Sequence, residues 1–297
     1  MGYYSRLSKS FEGAPRLPLT DSSKYVLISD CHRGTGTSND NFLKNQNLYF
    51  AALLHYYRAG YTYIELGDGD ELWENRSMEQ IIETHSNIFW LLSLFRAQNR
   101  LYMLYGNHDM IKKNSRYTAK TCSSYYCNNG RQPLLPDMPF YSGIILENIP
   151  HMSYDRTKQM DLYLTHGHQS DLLNSAFWRF SRFLVRYLWE PLERFGVLDP
   201  TSAAKNYTRK HKAEQRLHHW AEKENHILIT GHTHRPALSE KDIYYYNSGS
   251  CVHPRCITCL EIERKQILLV KWTLAVRLDM TLAVSREVLA GPLRLNR

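Results

Sequence analysis

The chain has 297 residues, 43% of them hydrophobic, and carries a formal net charge of +8 with a pI near 9.1. This composition excludes an intrinsically disordered protein and is sufficient for one substantial core with one inserted lobe. The positive charge favours anionic partners, namely phosphorylated substrates, nucleic acid or acidic membrane surfaces, and does not choose among them.

The first half of the chain alternates between strand-like and helical patterns. Residues 1–23 are predicted to lead in extended conformation into a first strand. Apolar residues at spacings of three and four predict two helices, and short runs rich in β-branched and aromatic residues predict the strands between them. The expected order is a strand at 24–29, a helix at 41–59, a strand at 61–66, a helix at 78–98 and a strand at 100–105.

The second half begins with a polar segment, residues 112–139, which we interpret as a long surface loop bordering the site. Two strands of a second sheet are predicted at 141–149 and 160–165, and two further strands at 257–262 and 266–276. Residues 169–226 differ in composition and are predicted to be a helical cap inserted into a core made of 1–168 and 227–297.

The predicted cap contains helices at about 177–189 and 201–223. The first carries a basic stripe at Arg179, Arg182 and Arg186. Three interpretations stay open for this stripe: a solvated helix face, contact with a substrate phosphate, or peripheral docking on a membrane surface.

Targeting signals and membrane spans are not expected. Residues 1–6 lack the apolar stretch of a signal peptide, and Arg6 stands where a myristoylation signal needs Ser or Thr. The most apolar tract, residues 266–289, is interrupted by charged side chains, among them Lys271, Arg277, Asp279 and Arg286. These features predict a cytoplasmic protein.

The six cysteines are predicted to be reduced thiols. Cys256 and Cys259 have the spacing of half a zinc site, but they lie in a strand-like run, in which residues three apart point to opposite faces. A structural zinc ion usually needs four converging ligands. We therefore interpret both as small hydrophobic residues.

Five of the strand-like runs end directly at carboxylate, amide or imidazole side chains. Such strand ends collect at one edge of an open α/β sheet, so these side chains are expected to share one cleft. The five motifs are Asp30-Cys-His32, Gly67-Asp68, Gly106-Asn-His-Asp109, His166-Gly-His168 and Gly231-His-Thr-His234.

This set of side chains suits a pair of divalent metal ions that acts on phosphate esters. Asp30 and His32 can bind one ion, and Asp68, at a sharp glycine turn, is the natural bridge. The neutral amide of Asn107 suits the second ion. His166 and His232 can join the second ion, while His234 reaches back to the first.

The remaining motif residues suggest catalytic roles. His108 is placed to protonate the leaving group or stabilise phosphoryl charge, and Asp109 is placed to orient His108. Because no thiolate is required, the ligand set suits Mn²⁺, with Fe²⁺, Zn²⁺ or Mg²⁺ as alternatives. For His168 we leave two possibilities open, support of a ligand or a position in the loop alone.

Together, the five motifs resemble those of the calcineurin-like metallophosphoesterase superfamily, and Asn247-Ser-Gly-Ser250 is similar to a turn often found after the last of them. The resemblance implies a four-layer α/β/β/α sandwich and His108 as the catalytic acid. It also implies a first ion bound by Asp30, His32, Asp68 and His234, and a second ion bound by Asp68, Asn107, His166 and His232.

Within that superfamily, Gly67-Asp-Gly-Asp-Glu-Leu-Trp73 and the basic insertion are similar to the branch that cleaves UDP-diacylglucosamine pyrophosphate. Two positions depart from that branch, which usually has arginine in place of His108 and aspartate in place of His168. The substrate of this chain therefore does not follow from the branch.

We carry three functions forward. The first is a metal-dependent hydrolase of a phosphomonoester, phosphodiester or pyrophosphate, in which a metal-bridging hydroxide attacks and the substrate is a phosphorylated small molecule, sugar nucleotide or lipid. The second is a nucleic-acid phosphodiesterase, encouraged by the positive charge although no dedicated binding motif is visible. The third is a non-catalytic scaffold, which would not need every ligand position to be filled.

Overall fold

The computed structural model of the protein describes residues 1–37, 39–127, 130–149, 160–189 and 207–295. The strands in these ranges are β1 (Arg16–Leu19), β2 (Lys24–Ile28), β3 (Thr62–Glu65), β4 (Leu101–Leu104), β5 (Ser124–Cys127), β6 (Gly130–Pro133), β7 (Phe140–Tyr141), β8 (Gly143–Asn148), β9 (Leu162–Thr165), β10 (Ile227–Thr230), β11 (Tyr245–Asn247), β12 (Cys256–Glu263), β13 (Gln266–Val276) and β14 (Leu282–Arg294). The α-helices are α1 (Tyr3–Lys9), α2 (Gln46–Arg58), α3 (Met78–Thr84), α4 (Ser86–Ala97), α5 (Ser115–Thr121), α6 (Leu172–Ser175), α7 (Trp178–Leu184) and α8 (Tyr207–Glu224).

Seven strands form one sheet in the order β14-β13-β12-β2-β3-β4-β7. Strands β2, β3, β4 and β7 are parallel, whereas β12, β13 and β14 extend the sheet in antiparallel fashion. Strand β2 is covered on both faces, because Val26 and Ile28 pack under the helices and Leu27 packs against the other sheet. Such two-sided burial explains its nearly continuous apolar sequence.

Five strands form a second sheet in the order β1-β8-β9-β10-β11. Strands β9, β10 and β11 are parallel, and β8 pairs with β9 in antiparallel register, with Ile144 opposite Leu164. The predicted strands at 141–149 and 160–165 therefore do contribute to a second sheet. Tyr141, however, belongs to β7 at the edge of the first sheet.

The two sheets and their helices form four layers. Helices α2 and α4 pack on the outer face of the seven-stranded sheet through residues such as Tyr49 and Phe89. A second apolar cluster fills the space between the sheets. Helices α1 and α8 contribute Leu7, Leu217 and Trp220 to the cluster over the outer face of the five-stranded sheet. This arrangement confirms the predicted α/β/β/α fold.

The predicted extended lead-in over residues 1–23 is wrong in its first part, because α1 forms there. Its side chains pack against α8, and the Trp220 indole N–H donates to Ser8 Oγ at 3.0 Å. The Tyr4 hydroxyl donates to Glu224. These are tertiary contacts, which local sequence does not reveal.

The helix predicted at 78–98 is divided into α3 and α4 at His85, whose backbone angles are φ −110° and ψ 34°. The His85 ring turns inward, where its Nε2 lies 3.0 Å from Asp40 Oδ2 with both side chains fully buried. The periodic apolar pattern continues through this break because both helices cover the same sheet.

The long loop predicted at 112–139 is also wrong in part. It contains α5 and the antiparallel hairpin β5-β6. Residues 128–129 lie outside the described residues, as do 190–206 of the predicted cap. The described part of the cap holds α6, α7, a π-helical turn at Val185–Trp189 and α8. Its boundaries at 169 and 226 stay a prediction.

Two further expectations concern membranes and metals. Among the described residues, no helix combines the length and apolar character that a membrane crossing requires. Cys256 and Cys259 lie three residues apart on β12 and therefore point to opposite faces. In the described ranges, neither cysteine belongs to a group of potential metal ligands.

Candidate metal centre

All five predicted motifs lie at the carboxyl ends of strands, three in the seven-stranded sheet and two in the five-stranded sheet. The ends of the two sheets meet, so side chains that are far apart in sequence come into contact. Asp30 Oδ1 lies 3.1 Å from His234 Nε2, and Asp68 Oδ2 lies 3.1 Å from His166 Nε2. The structure therefore brings side chains of different motifs together at the strand ends, as the sequence predicts.

The first group of potential ligands comprises Asp30, His32 and His234, whose ligand atoms all lie within 4.8 Å of one another. His32 Nε2 is 3.8 Å from Asp30 Oδ1, and the rings of His32 and His234 have centroids 5.3 Å apart. The sequence analysis assigns these three residues to the first ion, together with the bridging ligand Asp68.

The second group comprises Asp68, His166 and His232, again with ligand atoms within 4.8 Å of one another. The amide of Asn107 joins this group, since its Oδ1 lies 3.2 Å from His166 Nε2. His166 Nδ1 lies 3.0 Å from the carbonyl oxygen of Leu66, which fixes the ring so that Nε2 faces the cluster.

Asp68 lies between the two groups. Its Oδ2 is 3.1 Å from His166 Nε2 on one side and 3.8 Å from His32 Nε2 on the other. Its Oδ1 accepts the backbone N–H of His108 at 2.8 Å. One carboxylate therefore faces both groups, as a bridging ligand must.

Within the part of the chain that the structure describes, several buried polar atoms in the two groups have no hydrogen-bond partner. They are Asp30 Oδ1, His32 Nε2 and His232 Nε2. Buried polar atoms are usually satisfied, and leaving one without a partner costs about 1–3 kcal/mol. Carboxylate oxygens and imidazole nitrogens that face one another in this way form the donor set that a divalent cation requires.

The backbone of the ligand loops is strained. Asp30, His32, Asp68, His232 and His234 all have positive φ, between 50° and 66°. Residues with a Cβ atom rarely adopt this conformation, and it persists where surrounding contacts enforce it, often at functional sites. Five of the seven predicted ligands share it, which indicates that the loops are shaped to turn these side chains inward.

Gly106 permits the close approach of two of these loops. A Cβ atom at Gly106 would lie 2.1 Å from Asp68 Oδ1 and 2.6 Å from the Asp68 backbone nitrogen. Any side chain at position 106 would therefore displace Asp68 itself. This steric limit explains the glycine that precedes Asn107.

The charges in the site favour a cation. Burial raises the pKa of Asp68, but His166 and His108 outweigh burial and hold it well below its usual range. Burial lowers the pKa of His232 to about 3, and the neighbouring His166 adds to this effect. For His166, burial is outweighed by Asp68 and Asp30, so that its pKa rises to about 9. A cation bound there has to displace the His166 proton.

His108 is held by a residue whose function the sequence did not suggest. His108 Nδ1 lies 2.8 Å from Glu71 Oε1, and its ring stacks on Trp73 with a centroid distance of 4.3 Å. The other oxygen of Glu71 lies 2.8 Å from His32 Nδ1. Glu71 therefore fixes a potential metal ligand and the potential acid together. The signal in the sequence that could have indicated this role is the position of Glu71, three residues after the predicted bridging ligand Asp68.

The role predicted for Asp109 needs correction. Its carboxylate accepts the backbone N–H groups of Gly106 at 2.7 Å and Gly69 at 3.2 Å, and the Lys112 ammonium at 2.8 Å. It therefore holds the loop backbones together. The side-chain contact of the His108 ring nitrogen is with Glu71, so Glu71 and not Asp109 orients the ring.

Below the ligand loops lies a buried network of charges. The Arg33 guanidinium donates to both oxygens of Glu65 at 2.8 and 2.9 Å and to Asp70 at 2.6 Å. Lys112 donates to Asp70 at 2.5 Å and to Asp109. All five side chains are almost completely buried. The network joins the loops that carry His32, Asp68 and Asn107.

The three arginines of the predicted basic stripe do not all share one environment. Arg186 donates to the carbonyl oxygens of Trp73 at 2.9 Å and Leu72 at 2.8 Å. This contact ties the cap to the loop that carries Glu71. Arg179 and Arg182 both lie over the ring of Trp178, at 5.6 and 4.9 Å from its centroid. Substrate contact by these arginines stays a prediction.

His168 is buried beside His166, with ring centroids 5.5 Å apart, and its Nδ1 has no hydrogen-bond partner among the residues that the structure describes. Burial lowers its pKa well below the usual value, and the neighbouring His166 adds to this effect. The turn that follows is anchored from outside, because Arg6 donates to the carbonyl of Gln169 and Arg216 to that of Ser170.

Comparison with known protein families gives a match that includes all five motifs. The sequence profile described as calcineurin-like phosphoesterase matches residues 23–236, a range that contains all five motifs and more than half of the chain. No curated protein matches the chain significantly.

Two solved structures are similar at a low level. A crystal structure of Chaetomium thermophilum Vps29 has 12% sequence identity and a TM-score of 0.40, and the alignment covers 91% of this chain and 97% of that chain. A crystal structure of a mutant cold-active protein tyrosine phosphatase has 13% sequence identity and a TM-score of 0.40. The alignment covers 93% of this chain and 82% of that chain. Similarities of this strength carry no weight for the fold or function of this chain.

The buried network leads to a prediction about stability. Lys112→Met is expected to lower the free energy of unfolding by about 3–5 kcal/mol, because it removes the buried counter-charge of Asp109 and leaves Asp70 with Arg33 alone. The exposed neighbour provides the control, since Lys113→Met is expected to change it by less than about 0.5 kcal/mol. Urea unfolding measures both. Equal effects of the two substitutions would contradict the proposed importance of the network.

Proposed function

The chain belongs to the calcineurin-like phosphoesterase family, and from this premise we propose that it hydrolyses phosphate esters at a pair of divalent metal ions bridged by Asp68. The family marks the chain as a metal-dependent phosphoester hydrolase. The observation that carries the finer proposal is the position of the Asp68 carboxylate, which faces one group of potential ligands on each side.

The residues present fit such a pair of ions. Each group offers buried nitrogen and oxygen donors, and among the described residues Asp30 Oδ1, His32 Nε2 and His232 Nε2 have no hydrogen-bond partner. The first ion would be held by Asp30, His32, Asp68 and His234, and the second by Asp68, Asn107, His166 and His232. The donors are nitrogen and oxygen atoms, which suit Mn²⁺ and also Fe²⁺, Zn²⁺ or Mg²⁺.

Metal ions in such a pair orient the phosphate, lower the pKa of bound water and offset charge on the oxygens of the reacting phosphate. The polypeptide contributes the remaining functions. Its strained ligand loops hold the donors in place, and the buried network of Arg33 and Lys112 keeps these loops from separating. Preorganisation of this kind reduces the rearrangement that the reaction requires.

His108 is the proposed acid for the leaving group. Burial lowers its pKa, but the adjacent Glu71 and Asp68 outweigh burial, so that the pKa is raised and the protonated ring is favoured. Stacking on Trp73 and the contact with Glu71 leave Nε2 as the nitrogen that can donate a proton. Glu71 acts as a positioning residue through His108 and His32.

The metal requirement is tested by measuring the metal content of the protein and its hydrolytic activity. Wild-type protein loaded with Mn²⁺ is expected to hold two ions per chain and to hydrolyse an aryl phosphate ester, and chelation is expected to abolish this activity. Asp68→Asn is expected to lose most of the bound metal. Its activity is expected to fall by more than about 100-fold, because misplacing the reacting groups alone can lower the rate by that factor. Elemental analysis and an absorbance assay provide the measurements.

The control for this experiment is Asp242→Asn, because Asp242 pairs with His218 outside the metal centre. It should retain both metal and activity. Full activity of metal-free wild-type protein would reject the proposal. Binding of two ions by the Asp68→Asn protein would reject it as well.

The role of His108 predicts a separation of metal binding from turnover. His108→Ala is expected to retain both ions and to lower kcat by about 100-fold or more, the usual contribution of general acid catalysis. Glu71→Gln removes the carboxylate that raises the His108 pKa, so the loss of activity at high pH should begin at a lower pH than in the wild type. Unchanged pH profiles would contradict the positioning role of Glu71.

A second, narrower candidate is the cleavage of a pyrophosphate in an amphiphilic substrate such as UDP-diacylglucosamine. The observation in its favour is an aromatic stripe on the cap, where Phe177, Phe180 and Phe183 are each more than half exposed. Arg186 ties this helix to the loop that carries Glu71. Apolar side chains beside a phosphate site suit a substrate with acyl chains.

An activity panel separates this candidate from a general phosphoesterase and from a nucleic-acid phosphodiesterase. With an acylated sugar nucleotide, the double substitution Phe180→Ser and Phe183→Ser is expected to raise KM by about tenfold or more, a common loss for apolar contacts. It should leave hydrolysis of an aryl phosphate unchanged. A preference for oligonucleotides would reject the hypothesis of an amphiphilic substrate. Equal KM values of the wild type and the double variant for the acylated sugar nucleotide would reject it too.

A further inference from the structure

Strands β13 and β14 extend beyond the rest of the seven-stranded sheet. Strand β12 begins at Cys256, opposite Thr273 of β13. Among the described residues, the part of β13 after Thr273 pairs with β14 alone. We define residues 274–284 as the arm: two short strand ends joined by the turn at 277–281.

The arm leaves the sheet at the end that carries the metal centre. Strand β12 is antiparallel to β2, and β13 is antiparallel to β12, so β13 runs in the same direction as β2. Strand β2 leads to Asp30, and β13 leads to the arm. The arm therefore projects beyond the same edge of the sheet.

One face of the arm is apolar and exposed. Leu274 pairs with Val284 and Val276 pairs with Leu282, so that all four side chains lie on the same face. Their exposed fractions are 53%, 37%, 61% and 72%. At the tip, Leu278 and Met280 are also exposed. Monomeric proteins rarely show so many adjacent apolar side chains to water.

The inner part of this face has a partner within the chain. Trp272, two residues before Leu274 and on the same face, is buried against α2, and its indole N–H donates to the Tyr56 hydroxyl at 2.8 Å. The apolar pattern continues from Trp272 into the arm, where the side chains are exposed. The pattern thus extends to a place where no described element covers it.

The charges of the arm exclude strongly charged partners. Its tip carries Arg277 and Asp279, which cancel, and the nearby Lys271 is paired with Glu287 at 2.5 Å. Nucleic acid and anionic membrane surfaces require clustered positive charge. The arm has none, so its apolar face suits an uncharged apolar surface.

The arm is also unsuited to the interior of a lipid bilayer. Strand β14 is the edge strand of the sheet, and in the described part of the chain its outer backbone groups have no neighbouring strand. Hydrocarbon cannot satisfy such groups, so open sheet edges do not enter it. A protein surface is therefore the favoured partner.

The size of the face is sufficient for a dimer. A fully exposed Leu or Val side chain offers about 100 Å² of apolar surface, which puts the six exposed side chains of the arm at about 400 Å². A standard interface buries about 800 Å² on each partner, of which about 57% is apolar. The arm alone supplies most of that apolar share.

From these observations we propose that the apolar face of the arm packs against the same face of a second copy of this chain, forming a twofold dimer. Such an interface requires a surface that matches itself, and an apolar face without net charge meets this requirement. Since the arm projects from the edge of the sheet that carries the metal centre, each partner's arm would lie on that side of the molecule.

Light scattering coupled to size-exclusion chromatography tests the proposal. Wild-type protein is expected to have about twice the mass of one 34.9 kDa chain. Val284→Asp, on the apolar face, is expected to halve that mass. Ser285→Asp is the matched control, because Ser285 is adjacent and points to the opposite face, and it should remain dimeric.

A second variant covers the case in which Val284→Asp fails to fold. Met280→Asp lies at the exposed tip and is expected to weaken the dimer, with circular dichroism and the thermal midpoint unchanged. A wild-type mass of one chain at all concentrations would overturn the proposal. So would folded Val284→Asp and Met280→Asp proteins that both remain dimeric, or a monomer that instead co-sediments with neutral phosphatidylcholine vesicles.

Discussion

The position of one buried carboxylate, that of Asp68, determines how the rest of the centre is arranged. It lies within 3.1 Å of His166 and 3.8 Å of His32, and it accepts the backbone N–H of His108. A buried negative charge is very costly without compensation. The imidazoles on both sides of Asp68 provide it in this structure, and metal ions would provide it more strongly.

This arrangement depends on a layer of ion pairs below it. The ligand loops adopt backbone conformations that side chains disfavour, so other contacts have to hold them. Arg33 and Lys112 bind three buried carboxylates, including Asp109, which in turn accepts two backbone N–H groups of neighbouring loops. The charges closest to the candidate metal centre would bind cations, and those one layer below hold the loops.

The sequence correctly predicted that the candidate ligands lie close together, because each motif directly follows a short strand and strand ends of this kind meet at one edge. It failed where a role depends on direction in space. Asp109 is adjacent to His108 in sequence, but the turn sends its side chain to the backbone, and Glu71 from another loop contacts the ring. Helix α1 was missed for the same reason, because its contacts with α8 are distant in sequence.

The most direct test is the anomalous diffraction of crystals grown with Mn²⁺. If Asp68 bridges two ions, the map will contain two peaks about 3.5–4 Å apart. One peak should lie among Asp30, His32 and His234, and the other among Asn107, His166 and His232. A single peak, or two peaks that do not share Asp68, would contradict the central claim.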